Sequence, residues 1–231
     1  MPETTVETTP EMTPETTPET TPETTAETTP EITTTTTQEN DSSREQRNAV
    51  DTAKTYLRFS NFSRQGLIDQ LIFEGYSEED AAYGADNCDA DWMEQAIGSA
   101  ESYLSFSSFS HQGLVDQLIF EGYTPSEAAY GADNSGLDAT DQAVESAQSY
   151  LRFSAFSRQG LIDQLIFEGY SKEEATHGVD SSGADWMEQA VDSAESYLSL
   201  MSFSKQALVD QLVFEGFTQE QAAHGATEAM R

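Results

Sequence analysis

The chain has 231 residues and carries 42 Asp+Glu against 10 Lys+Arg, a formal net charge of −32. That balance argues against nucleic acid and anionic membrane surfaces as partners, because both demand a basic face; it favours solubility and attraction to basic partners. Cys88 is the only cysteine, so no internal disulfide can form, and no apolar run reaches the ~18–20 residues of a membrane-spanning helix.

Residues 1–43 are of low complexity. Glutamates recur every four residues from Glu3 to Glu31, most of them followed by Thr-Thr and many preceded by proline. A four-residue period would suit one face of a helix, but the prolines and threonine pairs oppose helix and nothing apolar is there to bury. The expectation is a disordered, extended Thr/Glu/Pro-rich linker. Fully polyproline-like, it would reach roughly 130 Å, an upper bound. It reads as a solvated tail or as a spacer whose threonines are candidates for sugars. Met1 leads straight into this polar tract, so no signal peptide is read in the chain as written.

From Arg44 onward the sequence repeats. Tyr56, Tyr103, Tyr150 and Tyr197 lie 47 residues apart, each followed by Leu. Gly75-Tyr76, Gly122-Tyr123, Gly169-Tyr170 and Gly216-Phe217 keep the same spacing. Four copies follow, at 45–91, 92–138, 139–185 and 186–231. The copies alternate: FSRQGLIDQLIFEGY stands verbatim at Phe62–Tyr76 and Phe156–Tyr170, while Trp92 and Trp186 lead only copies two and four. A 94-residue pair duplicated later is the simplest history. Placed at the junctions within each pair, the tryptophans predict packing in two paired halves.

Each unit reads as three short helices, so the fold class is all-α. In the first, Trp92, Ala96, Ala100, Tyr103 and Leu104 share one side, and Asp91 and Glu94 suit its amino end. In the second, Ser63 is the predicted N-cap, Phe62 and Leu67 form a staple, and Leu67, Ile68, Leu71 and Ile72 make the buried stripe. Gly75 stops it in the left-handed conformation. Ser77 opens the third helix with an acid three residues on; Thr124, Pro125 and Glu127 do the same in copy two. The small residues Ala81–Ala85 let this helix approach its neighbours closely. Phe59, Phe62, Phe73 and Tyr76 are expected to supply the large apolar groups of a minimal core.

No chemistry-bearing constellation emerges. The second and third helices have a helix-turn-helix outline, but Glu78, Glu79, Asp80 and Asp86 on its face would repel phosphate. His111, His177 and His224 fall at different unit positions or on exposed helix sites, and no nucleophile–base pair can be argued. Asp86, Asp89 and Asp91 lack the ligand order and central glycine of a calcium loop. The chain therefore reads as non-enzymatic, with no cofactor or metal and no direct membrane insertion.

The pattern Tyr-Leu, then Phe-Ser-x-Gln-x-Leu-x-Asp-Gln-Leu, then Gly-Tyr-Ser and Ala-Ala-Tyr-Gly-Ala-Asp-Asn resembles the host cell surface-exposed lipoprotein repeat, the Ltp-like helix-turn-helix module, over residues 45–231. The resemblance implies exported, lipid-anchored surface proteins held off the membrane by a polar linker, with superinfection exclusion as their best-understood role: the repeats bind the tape-measure protein of an incoming phage and block DNA entry. This sequence departs from that pattern in showing no lipobox cysteine, since Cys88 lies inside the repeats. Cytoplasmic location is the alternative for the chain as written, and a cell-envelope spacer without a phage target is the alternative function.

The sequence points to acidic helical faces engaging a basic or amphipathic protein segment. In copy one the candidates are Asp69, Glu74, Glu78, Glu79 and Asp80. In copy two they are Asp116, Glu121 and Glu127, in copy three Asp163, Glu168, Glu173 and Glu174, and in copy four Asp210, Glu215 and Glu220. Caps and solubility charges are the competing account of the same residues. The verbatim stretch itself is expected to be a folding unit, with function on the charged surface around it.

Overall fold

The computed structural model describes residues 35–231 and is helical throughout that span, with twelve helices. The first repeat comprises α1 (Thr35–Tyr56), α2 (Arg64–Phe73) and α3 (Glu78–Asp86), and the second α4 (Trp92–Leu104), α5 (His111–Phe120) and α6 (Pro125–Asn134). The third comprises α7 (Ala139–Phe153), α8 (Arg158–Phe167) and α9 (Lys172–Ser181), and the fourth α10 (Trp186–Leu200), α11 (Lys205–Phe214) and α12 (Gln219–Glu228). Residues 1–34 of the predicted linker lie outside the described residues. α1 begins at Thr35, within the segment read as linker.

Local chemistry sets the boundaries. The Ser63 side chain accepts from the Gly66 amide at the start of α2, and Gly75 ends that helix at φ +101°. Asp91 accepts from the Met93 and Glu94 amides at the start of α4. Thr124 and Glu127 close a reciprocal capping box with Pro125 at the first helical position of α6.

Every repeat builds its own core from the same positions. In repeat two these are Ala96 and Ala100 of α4, Leu114 and Leu118 of α5, Tyr123 of the turn, and Ala128 and Ala132 of α6. The first and third helices approach most closely, and glycine makes this possible: a Cβ on Gly131 would stand 2.7 Å from the Ala96 carbonyl oxygen. The buried Tyr123 hydroxyl pairs with Ser99 Oγ at 2.8 Å and donates to the Gln95 carbonyl at 3.0 Å, so burying it leaves no polar atom unpaired. Tyr56 meets Phe62 edge-to-face at 5.8 Å, and the same pair recurs in the other three repeats.

Two expectations about the core are corrected. Phe59 and Phe73 are 83 % and 84 % exposed, and Ile72 is 38 % exposed. At 100° per residue, Phe73 stands about 200° around the helix from Leu71, on the side away from the core. Two leucines and four alanines, with the turn tyrosine, already fill the small space between the three short helices of repeat two, and the phenylalanines at the helix ends stay outside.

The paired-half expectation is also corrected, because one joint serves all three junctions. Ser63 Oγ donates to the Glu121 carbonyl at 2.5 Å, Ser110 to Glu168 at 2.5 Å, and Ser157 to Glu215 at 2.6 Å. Beside each, a phenylalanine amide donates to a glutamine of the next repeat: Phe62 to Gln95, Phe109 to Gln142 and Phe156 to Gln189, at 3.1–3.2 Å. The carboxyl ends of α5, α8 and α11 thus abut the amino end of the second helix one repeat earlier, with the helix dipoles head to tail. The tryptophans do not mark a special interface. Trp92 and Trp186 each pack on the core of the preceding repeat, and at the middle joint Leu137 does so while Ala139 holds the tryptophan position.

Candidate binding surface

The sequence-predicted acids divide by what the scaffold does with them. Asp69, Asp116, Asp163 and Asp210 are exposed on the outer side of the second helices, each accepting from a glutamine one turn earlier at 2.8 Å. Glu74, Glu121, Glu168 and Glu215 accept from the hydroxyls of Tyr56, Tyr103, Tyr150 and Tyr197, tying the first helix of each repeat to the second. Those glutamates are braces. Partial burial also pushes the Glu215 carboxyl above its ordinary value.

Asp80, Glu127 and Glu174 serve as caps. Ser77 Oγ donates to Asp80 at 2.6 Å, and the Thr124 and Ser171 amides donate to Glu127 and Glu174. Glu78, Glu79, Glu173 and Glu220 are exposed in the first turns of the third helices and have no side-chain partner among the described residues. Every repeat therefore exposes an Asp69-type acid, and repeats one, three and four also expose a free acid at the head of the third helix, whereas in repeat two Glu127 is taken by the capping box.

The remaining polar groups are structural. Arg64 grips Asp86 through two hydrogen bonds of 2.6 and 2.8 Å, latching the second helix to the third. Arg158 does the same to Asp180, and His111 reaches Asp133 at 2.8 Å. The arginines hold the Asp86 and Asp180 carboxyls below the usual range. Asp86, Asp89 and Asp91 do not converge: Asp86 pairs with Arg64, Asp89 with Lys54, and Asp91 caps α4. Cys88 is buried with its thiol on the Ala85 carbonyl, and burial pushes its pKa up, so it behaves as a small core residue.

What the sequence reading missed is apolar. Phe59 and Phe106 lie in the turns after the first helices of repeats one and two, Phe153 and Leu200 end the first helices of repeats three and four, and Phe73, Phe120, Phe167 and Phe214 end the second helices. All eight are 80–89 % exposed. For the second-helix phenylalanines the usable signal was angular: they lie on the side of the helix opposite the leucine stripe. Open grooves separate the repeats. One of about 600 Å³ between repeats two and three is lined by Phe106, Ser108, Glu145, Tyr150 and Glu168. Another of about 350 Å³ between repeats three and four brings Phe153 opposite Leu200 and Glu215. Their serine, tyrosine and acidic walls offer hydrogen-bond partners without a nucleophile–base pair.

Among the described residues no helix is long and apolar enough to cross a membrane. Neither the curated proteins nor the solved structures contain a match to this chain. The family model for the host cell surface-exposed lipoprotein matches it four times, at residues 44–88, 91–134, 138–181 and 185–227, one match to each three-helix repeat. With matches covering most of its length and falling on every repeat, the chain belongs to the host cell surface-exposed lipoprotein family.

Proposed function

We propose that this chain is a non-enzymatic, surface-exposed array that captures a protein partner carrying a basic or amphipathic segment, and that its biological role is phage superinfection exclusion. In that role the partner is the tape-measure protein of an incoming phage, and its capture blocks DNA injection. The observation that carries the reading is the exposure of acids without side-chain partners, Glu78, Glu79, Glu173 and Glu220, at the heads of the third helices in repeats one, three and four of a hydrogen-bonded tandem array. Family membership supports surface exposure. A spacer without a target would have no use for eight exposed large apolar residues.

The test is protection of expressing cells from phage DNA injection. Cells displaying the full chain resist injection, and cells displaying only residues 1–43 do not. Combined reversal of Glu78, Glu79, Glu173 and Glu220 to lysine lowers protection and flattens its dependence on salt. Equal sensitivity of the two cell populations would remove the phage reading, and unchanged protection after charge reversal would remove these acids from the mechanism.

A further inference from the structure

The second helices carry an outward stripe that the fold does not use. In α2 it runs Gln65, Asp69, Ile72, Phe73, with Gln65 donating to Asp69 at 2.8 Å and the phenylalanine one turn beyond the aspartate. The same four positions recur as Gln112–Phe120, Gln159–Phe167 and Gln206–Phe214, with Val213 replacing isoleucine in the last. The four phenylalanines are 84–87 % exposed, and the aliphatic residue before each is 38–40 % exposed. Because the second helices abut end to end through the serine joints, these patches occur at a fixed spacing, about 15 Å of helix plus a cap for each repeat.

We propose that each Phe73-type residue, with the aliphatic side chain before it, is an apolar anchor point for an amphipathic basic helix of a partner protein, whose Lys and Arg residues meet the neighbouring Asp69-type acids. This deepens the protein-capture reading and rests on it. Charge selects the occupant. A second copy of the chain would bring its own net charge of −32 against the same acids, and an anionic membrane would be repelled. A cationic helix with one apolar face complements both parts of the patch. Exposed aromatic residues ringed by polar groups are the usual centres of such contacts.

The experiment measures binding of the full chain to two synthetic peptides of about 20 residues and equal charge, one built from leucine and lysine and one from serine and lysine, by fluorescence anisotropy near physiological salt. The wild-type chain is expected to bind the leucine–lysine peptide at least about tenfold more tightly. The combined variant Phe73→Ser, Phe120→Ser, Phe167→Ser and Phe214→Ser is expected to bind both peptides alike while keeping its circular dichroism and Tm, since these side chains make no core contact. The reversal of Glu78, Glu79, Glu173 and Glu220 to lysine separates the two readings: it weakens both peptides and leaves the difference between them. A variant that keeps the wild-type preference overturns the proposal, as does a wild-type chain without one. Phe-dependent self-association in sedimentation, or Phe-dependent binding to zwitterionic vesicles, overturns it in favour of a second copy or a lipid surface.

Discussion

The serine joint makes a quantitative prediction because the chain contains its own control. Ser110 Oγ accepts from the Gly113 amide at 2.9 Å and donates to the Glu168 carbonyl at 2.5 Å, so one hydroxyl caps α5 and holds repeat three. Ser204 accepts from the Ala207 amide at 3.2 Å and has no later repeat to hold among the described residues; it is exposed where Ser110 is buried. Ser204→Ala removes a cap alone, at a cost of about 1 kcal/mol. Ser110→Ala removes the cap and strands a carbonyl, adding about 1 kcal/mol. The difference is the joint. Urea unfolding gives the two totals, and hydrogen exchange locates them. Ser110→Ala should lower protection in both α5 and α8, whereas Ser204→Ala should lower it in the fourth repeat alone. Equal costs, or a loss confined to α5, would refute the joint as an energetic link, and the chain would then be four independent beads.

Gly131→Ala should destabilise repeat two by about 1–3 kcal/mol in thermal unfolding, because the added Cβ lands on the Ala96 carbonyl where two helix backbones nearly touch. Asp89 adopts φ +59° where the second and third repeats place Gly136 and Gly183 at positive φ. Asp89→Val should therefore cost about 1–2 kcal/mol, while Asp89→Gly should leave the Tm nearly unchanged. Burial pushes the Tyr123 and Tyr170 hydroxyls up to about 12. Their raised pKa values mean that their stabilising contribution is complete below the ordinary tyrosine value near 10 and is lost as pH rises through about 12. Phenolate absorbance from these two should appear together with loss of helical circular dichroism, and Tyr123→Phe should cost about 1 kcal/mol at neutral pH.

The boundaries of the helices were legible because caps are local. Ser63, Gly75, Thr124-Pro125 and Asp91 each act within four residues of themselves, and each acts as read. The core was legible only in part. A ten-residue helix reading RQGLIDQLIF is apolar on two sides, and nothing within it says which side meets a neighbour. Leu67 and Leu71 face in because α3 closes over them, and Phe73 is left out by geometry alone. The joint was hidden for a different reason. Ser63 was fully explained as a cap, and its second partner lies 58 residues away. One trace of it stood in the sequence: Gly66, Gly113 and Gly160 follow the joint serines, where a Cβ would meet the serine Oγ, and Ala207 stands at the equivalent place in repeat four, where no described residue of a further repeat packs behind. The tryptophan alternation misled because Leu137 does at the middle joint what Trp92 and Trp186 do at the others.

Sorting the acids by their structural work changes what the array offers a partner. Braces such as Glu168 and caps such as Glu174 are committed to the fold, so reversing them would report stability before it reported binding. The surface left over is the Asp69-type acid, the free acids of the third helices, and the exposed phenylalanines. A single patch of that size binds weakly, because one aromatic side chain and one or two screened charges offset little of the cost of association. Four such patches at a fixed spacing behave differently: a partner long enough to engage two gains the effective concentration of the second, and a partner of the wrong period gains nothing. In the proposed capture reading, the hydrogen-bonded joints that hold that spacing would serve recognition as well as the fold. This also gives the verbatim duplication of FSRQGLIDQLIFEGY a second consequence. The stretch contains the cap, the leucine stripe and the stop, but it also contains Asp69, Ile72 and Phe73 and their duplicates Asp163, Ile166 and Phe167. Copying it intact copies the joint and the proposed docking patch together, so every added repeat extends that exposed surface in register.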